Sequence, residues 1–353
     1  MHILLKEALI GVIGVLTACS GEKKAIYSRY KNFTVEVPLQ AEIVPLDTVP
    51  FRYPFRIAVK DSVAIILDLH NTDYFFHAFT YPQFEHLVSF GGYGEAADQQ
   101  LSPETLRFVS NDSIWTVDSR KMEITRWRID PATHTATVVE KFPVPGQTVR
   151  ALDMVLYNEN EFLVTDYAGN ASFYKTDKQG NTTEAFGNIP TEKHCIRPGR
   201  DVLAQVWRNF IDFNPRNGVA ALGSQLGEVL DIFRPDSGIR TVLYGPGGEP
   251  AYFIRNGYAY PDGLMGFSDI QVADSCIYAV FHGSTFKEKE EMYKKGEIPP
   301  DGGRFIYVFD LQGNPLRKYI LDRFIYGIAI DEKARTFTAV EVNSDTPVVR
   351  FAF

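Results

Sequence analysis

Five charged residues recur along the chain and are of types that bind ions or take part in catalysis. Each lies near the start of an apolar run, at or within one residue of an equivalent position: Arg56, Arg107, Asp153, Asp212 and Asp269. Carboxylates gathered at one place can bind a divalent cation through their oxygens. Arginines beside the carboxylates reduce their affinity for metal. The alternative, which this composition favours, is a set of salt bridges in which the arginines neutralise the aspartates. Which chemistry applies depends on the elements that position these side chains.

A pattern of two apolar strands joined by a polar turn occurs six times. Its copies begin at Phe55, Leu106, Leu152, Phe210, Ser268 and Gly327. Equivalent turn positions are 51, 47, 57, 58 and 60 residues apart, and every copy but the last precedes a second pair of strands. Four strands per unit at a period near 50 predict an all-β fold, a six-bladed β-propeller with four-stranded blades. Inner strands line the channel of a propeller, so we expect the five charged residues near one mouth, where they could bind a ligand.

The two ends of the chain predict how the ring closes. The last repeat is too short for four strands, whereas residues 32–46 (NFTVEVPLQAEIVPL) are β-like and belong to no repeat. We expect this segment to pair with the last blade, so that residues 20–353 form a single propeller domain. One insert, at about 284–303, reads as a short helix that starts at Ser284 or Thr285 and stops at Gly296. It is either a solvated helix or a lid or docking element.

The N-terminus carries a targeting signal. Lys6 precedes a nine-residue apolar segment, which is too short to span a bilayer. Leu16-Thr17-Ala18-Cys19 follows and resembles a bacterial lipobox. The resemblance implies that residues 1–19 are a lipoprotein signal with Cys19 lipidated, and that the protein is held at a membrane by this anchor. Ser20 points to the outer membrane; the alternative is an ordinary secretory signal that happens to contain a cysteine.

One stretch of the first repeat suggests a family. Residues 73–95 (DYFFHAFTYPQFEHLVSFGGYGE) resemble the TolB-like six-bladed propeller lipoproteins of Bacteroidetes, in which a strand rich in Phe and His leads to a glycine turn. Gly92-Tyr93-Gly94-Glu95 matches part of that turn, but the family's proline and final phenylalanine are absent. LYGPGGEP, from Leu243, is a second partial match. The resemblance implies a propeller in the cell envelope, in a family whose members look like binding or scaffolding proteins.

Several other functions lack support in the sequence. The glycines at 91–94 are not followed by the helix that a phosphate-binding loop needs, and LGSQLG at Leu222 lacks the spacing of a hydrolase nucleophile elbow. A net charge of −8 without a long basic run argues against a nucleic-acid partner. Cys195 and Cys276 do not make a disulfide scaffold. The histidines show no metal-ligand spacing: His70, His77, His86, His134, His194 and His282.

The sequence therefore predicts a lipid-anchored cell-envelope propeller that binds a protein or small-molecule partner and has no cofactor. A binding role is favoured over an enzymatic one. The alternative is a metal-dependent hydrolase or lactonase that acts at the central channel with a divalent cation. Calcium- or zinc-dependent propeller lactonases resemble one another in carrying Glu, Asn and Asp ligands in the channel, and no glutamate opens an inner strand here.

Overall fold

Short strands joined by turns, most of them antiparallel, make up most of the chain that the structure describes. The computed structural model describes residues 25–46, 51–71, 73–144, 151–192, 199–342 and 344–353. Cys19, its lipobox, His194 and Cys195 lie outside these ranges. Within them the chain forms 29 β-strands and two α-helices, and the strands assemble into six blades around a central channel. The predicted six-bladed propeller is confirmed.

The bounds of the elements follow the chain. The N-terminal segment contains β1 (Ile26–Arg29), β2 (Glu36–Leu39) and β3 (Glu42–Ile43). Blade 1 contains β4 (Pro54–Lys60), β5 (Val63–Asp68), β6 (Tyr74–Thr80), β7 (His86–Tyr93) and β8 (Gln99–Gln100). Blade 2 contains β9 (Pro103–Ser110), β10 (Ser113–Asp118), β11 (Glu123–Asp130) and β12 (Thr135–Pro143). Blade 3 contains β13 (Met154–Leu156), β14 (Glu161–Thr165), β15 (Phe173–Asp177) and β16 (Thr182–Phe186).

The second half of the chain completes the ring. After α1 (Arg200–Val206), blade 4 contains β17 (Asn209–Asn214), β18 (Val219–Ser224), β19 (Val229–Arg234) and β20 (Ile239–Tyr244). A hairpin of β21 (Tyr252–Arg255) and β22 (Tyr258–Pro261) follows. Blade 5 contains β23 (Phe267–Val272), β24 (Cys276–Phe281), β25 (Gly303–Asp310) and β26 (Pro315–Ile325), with α2 (Phe286–Lys294) between β24 and β25. Blade 6 contains β27 (Ile328–Asp331), β28 (Thr336–Val340) and β29 (Val348–Ala352).

The N-terminal segment crosses the outer edges of three blades. β3 pairs antiparallel with β29 and supplies the fourth strand of blade 6, which confirms the predicted closure. β1 pairs in parallel with β20, and β2 pairs in parallel with β26, so blades 4 and 5 each gain a fifth strand. These pairings satisfy backbone groups that would otherwise be exposed along the outer edges of blades 4 and 5.

Aromatic side chains fill the spaces between neighbouring blades. Trp115 of blade 2 packs edge-on against Phe162 of blade 3, with ring centroids 5.1 Å apart. Phe173 of blade 3 meets Phe233 of blade 4 in the same way, at 4.9 Å. Each of these rings is at least 95% buried. Because every blade buries both of its faces against its neighbours, the strands carry apolar residues on both sides and the ring is held by packing as well as by closure.

The two faces of the ring differ. We call the side of the ring where the inner strands begin the insertion face. Because the four strands of a blade are antiparallel, two kinds of connection lie on this face: those between blades, and those between the second and third strands of a blade. α1, the β21–β22 hairpin and α2 all occupy such connections. α2 begins with a capping box between Thr285 and Glu288. The opposite side, the turn face, carries short turns. Among the described residues, no helix has the length and apolar character needed to cross a bilayer.

Candidate functional site

Four of the five predicted site residues lie on inner strands around the channel, and Asp153 lies directly before the inner strand of blade 3. Arg107 of β9 reaches across it: its Nη2 lies 3.1 Å from Asp153 Oδ1, and its Nη1 lies 3.4 Å from Asp212 Oδ1. On the other side, Arg56 Nε lies 3.8 Å from Asp269 Oδ1. The structure thus brings the five together as two ion-paired groups, one of three residues and one of two.

Each aspartate also joins its own blade to the next one. Asp153 accepts a hydrogen bond from the Ile211 N–H of blade 4, at 2.9 Å. Asp212 accepts one from the Val272 N–H of blade 5, at 2.7 Å. These two bonds have the same geometry, one blade apart, and each satisfies an inner-strand amide that faces a neighbouring blade.

The third aspartate repeats this arrangement. Asp269 accepts a hydrogen bond from the Ile328 N–H of blade 6, at 2.8 Å. Four blades are therefore linked in series by carboxylate side chains, from blade 3 to blade 6. The recurrence of the three aspartates in the sequence therefore has a structural cause, since each of them accepts a hydrogen bond from the following blade.

The two arginines hold different positions in the channel. Besides its two carboxylate partners, Arg107 donates hydrogen bonds to the carbonyl oxygens of Met154 and Ile211. The Arg56 guanidinium lies between the rings of Phe55 and Phe210, with Cζ 4.2 Å from each centroid. Arg56 is 6% exposed, and its Nη2 makes no hydrogen bond.

Burial shapes the titration of the charged groups. It raises the pKa of Asp212 to about 6, against the opposing charge of Arg107. Burial likewise raises the pKa of Asp269, and Arg56 opposes this rise. For Arg107, burial alone would lower the pKa, but the charges of the three aspartates outweigh it and raise that pKa. Arg107 therefore stays protonated while it compensates carboxylates that are costly to ionise.

The channel cavity does not offer an obvious metal site. It has a volume of about 210 Å³, and Arg56, Arg107, Asp212 and Asp269 are among its lining residues. The carboxylate oxygens that face it already accept backbone N–H groups and pair with arginine. In the parts of the chain that the structure describes, no three His, Cys, Asp or Glu side chains lie close enough together to hold a metal ion. This donor set does not fit a divalent cation.

A second cavity lies on the insertion face, beside α2. It has a volume of about 690 Å³ and is lined in part by Lys289, Tyr293, Ile298, Asp301 and Tyr326. Tyr326 packs against Phe55, with centroids 4.7 Å apart, and Phe55 in turn contacts Arg56 in the channel. The cavity beside the helix is therefore adjacent to the insertion-face mouth of the channel.

Polar groups converge on this mouth. The Tyr53 hydroxyl donates a hydrogen bond of 2.6 Å to Asp301 Oδ2, and Lys289 Nζ lies 3.5 Å from Asp301 Oδ1. His282 packs against Tyr326 and is 5% exposed. Burial lowers the pKa of His282 to about 4, so its imidazole is neutral at physiological pH. The mouth offers donors, a carboxylate and ring faces, which suit a polar organic ligand or a peptide.

Sequence reasoning missed this group. Tyr53 precedes the first inner strand, while Asp301 ends the insert about 250 positions later, so no local pattern connects them. The available signal was the insert itself, since a long insertion between two strands often supplies binding residues.

Comparison with known proteins agrees with this architecture. The model of the TolB-like 6-blade propeller-like family matches residues 32–333. A solved structure of a Bacteroides fragilis NCTC 9343 protein inferred to be exported is similar over 92% of this chain and 98% of its own, with 10% identity and a TM-score of 0.58. Regucalcin from Agrobacterium tumefaciens C58, a calcium-binding protein, is similar over 91% and 95%, with 12% identity and a TM-score of 0.51.

A third similar structure is that of the WD40 repeats of RRP9, which covers 88% of this chain and 96% of its own, with 8% identity and a TM-score of 0.50. At these identities the likeness shows the fold alone. No curated protein sequence matches the chain. The family model, which spans most of the sequence, decides the assignment: the chain belongs to the TolB-like family of six-bladed propellers.

Proposed function

We propose that this protein is a lipid-anchored cell-envelope propeller that binds a protein or small-molecule partner through its insertion face. The observation that carries the proposal is the gathering of α1, the β21–β22 hairpin and α2 on that one face. Elements added to a propeller at one face, around the mouth of its channel, are placed to contact a partner rather than to support the ring.

α1 and the hairpin contact each other directly, and all three insertions pack on one shared cluster. The Ala259 N–H of the hairpin donates a hydrogen bond of 3.0 Å to Gln205 Oε1 of α1. All three elements also pack on one buried cluster around Trp207. α1 contributes Leu203, the hairpin contributes Tyr252 and Ala259, and α2 contributes Phe286. Because they share this support, the insertions form a preformed platform, which reduces the entropy lost when a partner binds.

Large apolar side chains are exposed on this platform, beside the charged residues of α2. Tyr293 and Ile298 beside the second cavity are 66% and 84% exposed, and Tyr258 on the hairpin is 63% exposed. Large exposed apolar side chains that cluster on one surface mark interaction sites. The membrane anchor is proposed from the lipobox at Leu16–Cys19, and the envelope location is supported by the family and by a protein of similar fold that is inferred to be exported.

Site-specific photo-crosslinking in the native host tests the proposal. A benzophenone amino acid at Ile298 is expected to form a discrete crosslinked product in living cells. The matched control is Leu316, an apolar residue of the same blade that is 42% exposed next to a turn-face loop, and it is expected to form none. Equal crosslinking at both positions, or none at Ile298, would argue against the insertion face as the binding surface.

The anchor is tested separately. Cys19→Ser is expected to abolish incorporation of labelled fatty acid and to release the protein from isolated membranes. Retention of the label or of membrane association in this variant would refute lipidation at Cys19 and leave the crosslinking result unaffected.

A further inference from the structure

A third cavity lies between the N-terminal segment and blades 4 and 5. It has a volume of about 460 Å³, which is within the range of small-molecule sites. Five aromatic residues line it: Tyr30, Phe33, Phe281, Phe305 and Tyr307. Phe33 lies 4.6 Å from Tyr307, and Phe281 lies 4.7 Å from the same ring, centroid to centroid. The rings therefore form one continuous wall, and aromatic faces carry negative potential.

A buried carboxylate completes this wall. Glu228, just before β19, is 5% exposed and is among the residues that line the cavity. Its Oε1 accepts a hydrogen bond of 2.6 Å from the Tyr30 hydroxyl, and its Oε2 accepts one of 2.7 Å from the Gly247 N–H. Both donors are neutral, and no ion pair joins Glu228 to a cation within the described ranges. A carboxylate in these surroundings is stabilised by a cation that binds beside it.

The glycines of the GPGGE loop hold this carboxylate in place. A Cβ on Gly245 would lie 2.3 Å from Glu228 Cδ and 2.5 Å from the Tyr30 hydroxyl oxygen. The Glu228 N–H donates to the Gly248 carbonyl at 2.7 Å, and the Gly245 N–H donates to the Glu228 carbonyl at 2.8 Å. This loop is the LYGPGGEP motif that partly matches the family turn. Here it encloses a glutamate at the edge of an aromatic cavity.

The mouth of the cavity already holds one ammonium group against a ring. Lys318 Nζ lies 5.0 Å from the Phe305 centroid and 2.7 Å from Glu36 Oε1. The other charged side chain at the mouth is Lys31, which is solvent-exposed. Burial raises the pKa of Glu228, and the charge of Lys318 partly opposes this rise. A cation that binds beside Glu228 would offset the cost of ionising this buried carboxylate.

We propose that this cavity binds a small organic ammonium ion, with Glu228 as the counter-ion and the faces of Phe33, Phe281 and Tyr307 as the aromatic wall. A cation over aromatic faces is favoured most when it is desolvated, as it is within a cavity. Alkylated ammonium groups lose less hydration than metal ions, so they suit a site whose walls are mostly carbon. This site is distinct from the platform beside α2 and does not depend on the lipid anchor.

Choline is a suitable probe because its neutral carbon isostere, 3,3-dimethylbutan-1-ol, has the same shape without the charge. Calorimetric titration of the full chain in nonionic detergent is expected to show choline binding at least about tenfold tighter than the isostere. Equal affinities, or no binding of either probe, would overturn the proposal.

Two variants with matched controls locate the site. Glu228→Gln is expected to weaken choline binding at least about tenfold, whereas Glu341→Gln, at another buried glutamate with a raised pKa, should leave it unchanged. Lys318→Met frees the face of Phe305 and should strengthen binding. Its control is Lys141→Met, which breaks a similar lysine–glutamate pair on blade 2. If Glu228→Gln fails to fold, the Lys318 pair decides: affinity that is no higher in Lys318→Met than in Lys141→Met overturns the assignment.

Discussion

Replacing Asp153 with alanine tests whether the channel aspartates hold the blades together. The carboxylate is 2% exposed, accepts N–H groups from Met154 and Ile211, and is bound by Arg107. If its role is to join blade 3 to blade 4, the free energy of unfolding should fall sharply. If its role is only to contact a ligand in the channel, stability should change little.

The expected loss follows from the groups left without partners. A buried N–H without an acceptor costs about 1–3 kcal/mol. Removing one partner of a buried ion pair costs about 3–5 kcal/mol. Arg107 still has Asp212 and two carbonyl oxygens as partners, so the cost of breaking its ion pair with Asp153 is at the low end of that range. The total expected for Asp153→Ala is therefore about 4–6 kcal/mol, and Asp153→Asn, which keeps a carbonyl acceptor, should lose less.

Urea unfolding followed by tryptophan fluorescence measures this loss, since Trp115, Trp127 and Trp207 are all at least 96% buried. The control is Asp130→Ala, which removes an exposed carboxylate that also accepts two backbone N–H groups, from Ala132 and Thr133. It should cost less than about 1 kcal/mol. A loss for Asp153→Ala as small as that of Asp130→Ala would refute the inter-blade role.

Three further predictions concern pH, the glycine loop and ring closure. The folded-state pKa of Asp212 is raised to about 6, so the native state binds this proton more tightly and stability should fall as pH rises from about 4 to 6. Asp212→Asn should remove up to about 3 kcal/mol of that fall. The prediction is contradicted if the free energy of unfolding, measured in urea, changes with pH by the same amount in the variant and in the unchanged protein. Gly245→Ala should displace the Glu228 carboxylate and abolish choline binding, and unchanged calorimetric affinity would show that the loop tolerates a Cβ. Deleting residues 26–43 should lower Tm by at least about 5 °C, because three blades lose a paired strand; an unchanged melting curve would exclude a role in closure.

The sequence predicted the ring because a repeat is a property of the chain itself. Six copies of a strand pair set the blade number, and the deficit after residue 335 indicated that residues 32–46 complete the last blade. The additional pairing of β1 and β2 was not predicted. β1 lies before the predicted segment and is exposed along its whole length, so no alternation of apolar and polar residues marks it as a strand. β2 lies within the β-like residues 32–46, but it pairs with blade 5 rather than with the last blade.

The candidate sites were harder to predict. The recurrence of Asp153, Asp212 and Asp269 was visible, but their hydrogen bonds to the next blade depend on strand register, which the sequence does not encode locally. Tyr30 and Glu228 are 198 positions apart and meet only because the N-terminal segment crosses blade 4. Such contacts can be predicted only when the pairing of the N-terminal segment with the outer strands of the ring is known.

The path of the N-terminal segment determines when the molecule can be completed during synthesis. β1, β2 and β3 emerge first from the ribosome, yet their partners β20, β26 and β29 belong to the last three blades. The edges of these first strands therefore remain unpaired until almost the whole chain has been made. A lipid attached at Cys19 would hold the N-terminal segment at the membrane before the ring is complete. Only when the last blades form would this segment pair with them and connect the folded propeller to the lipid.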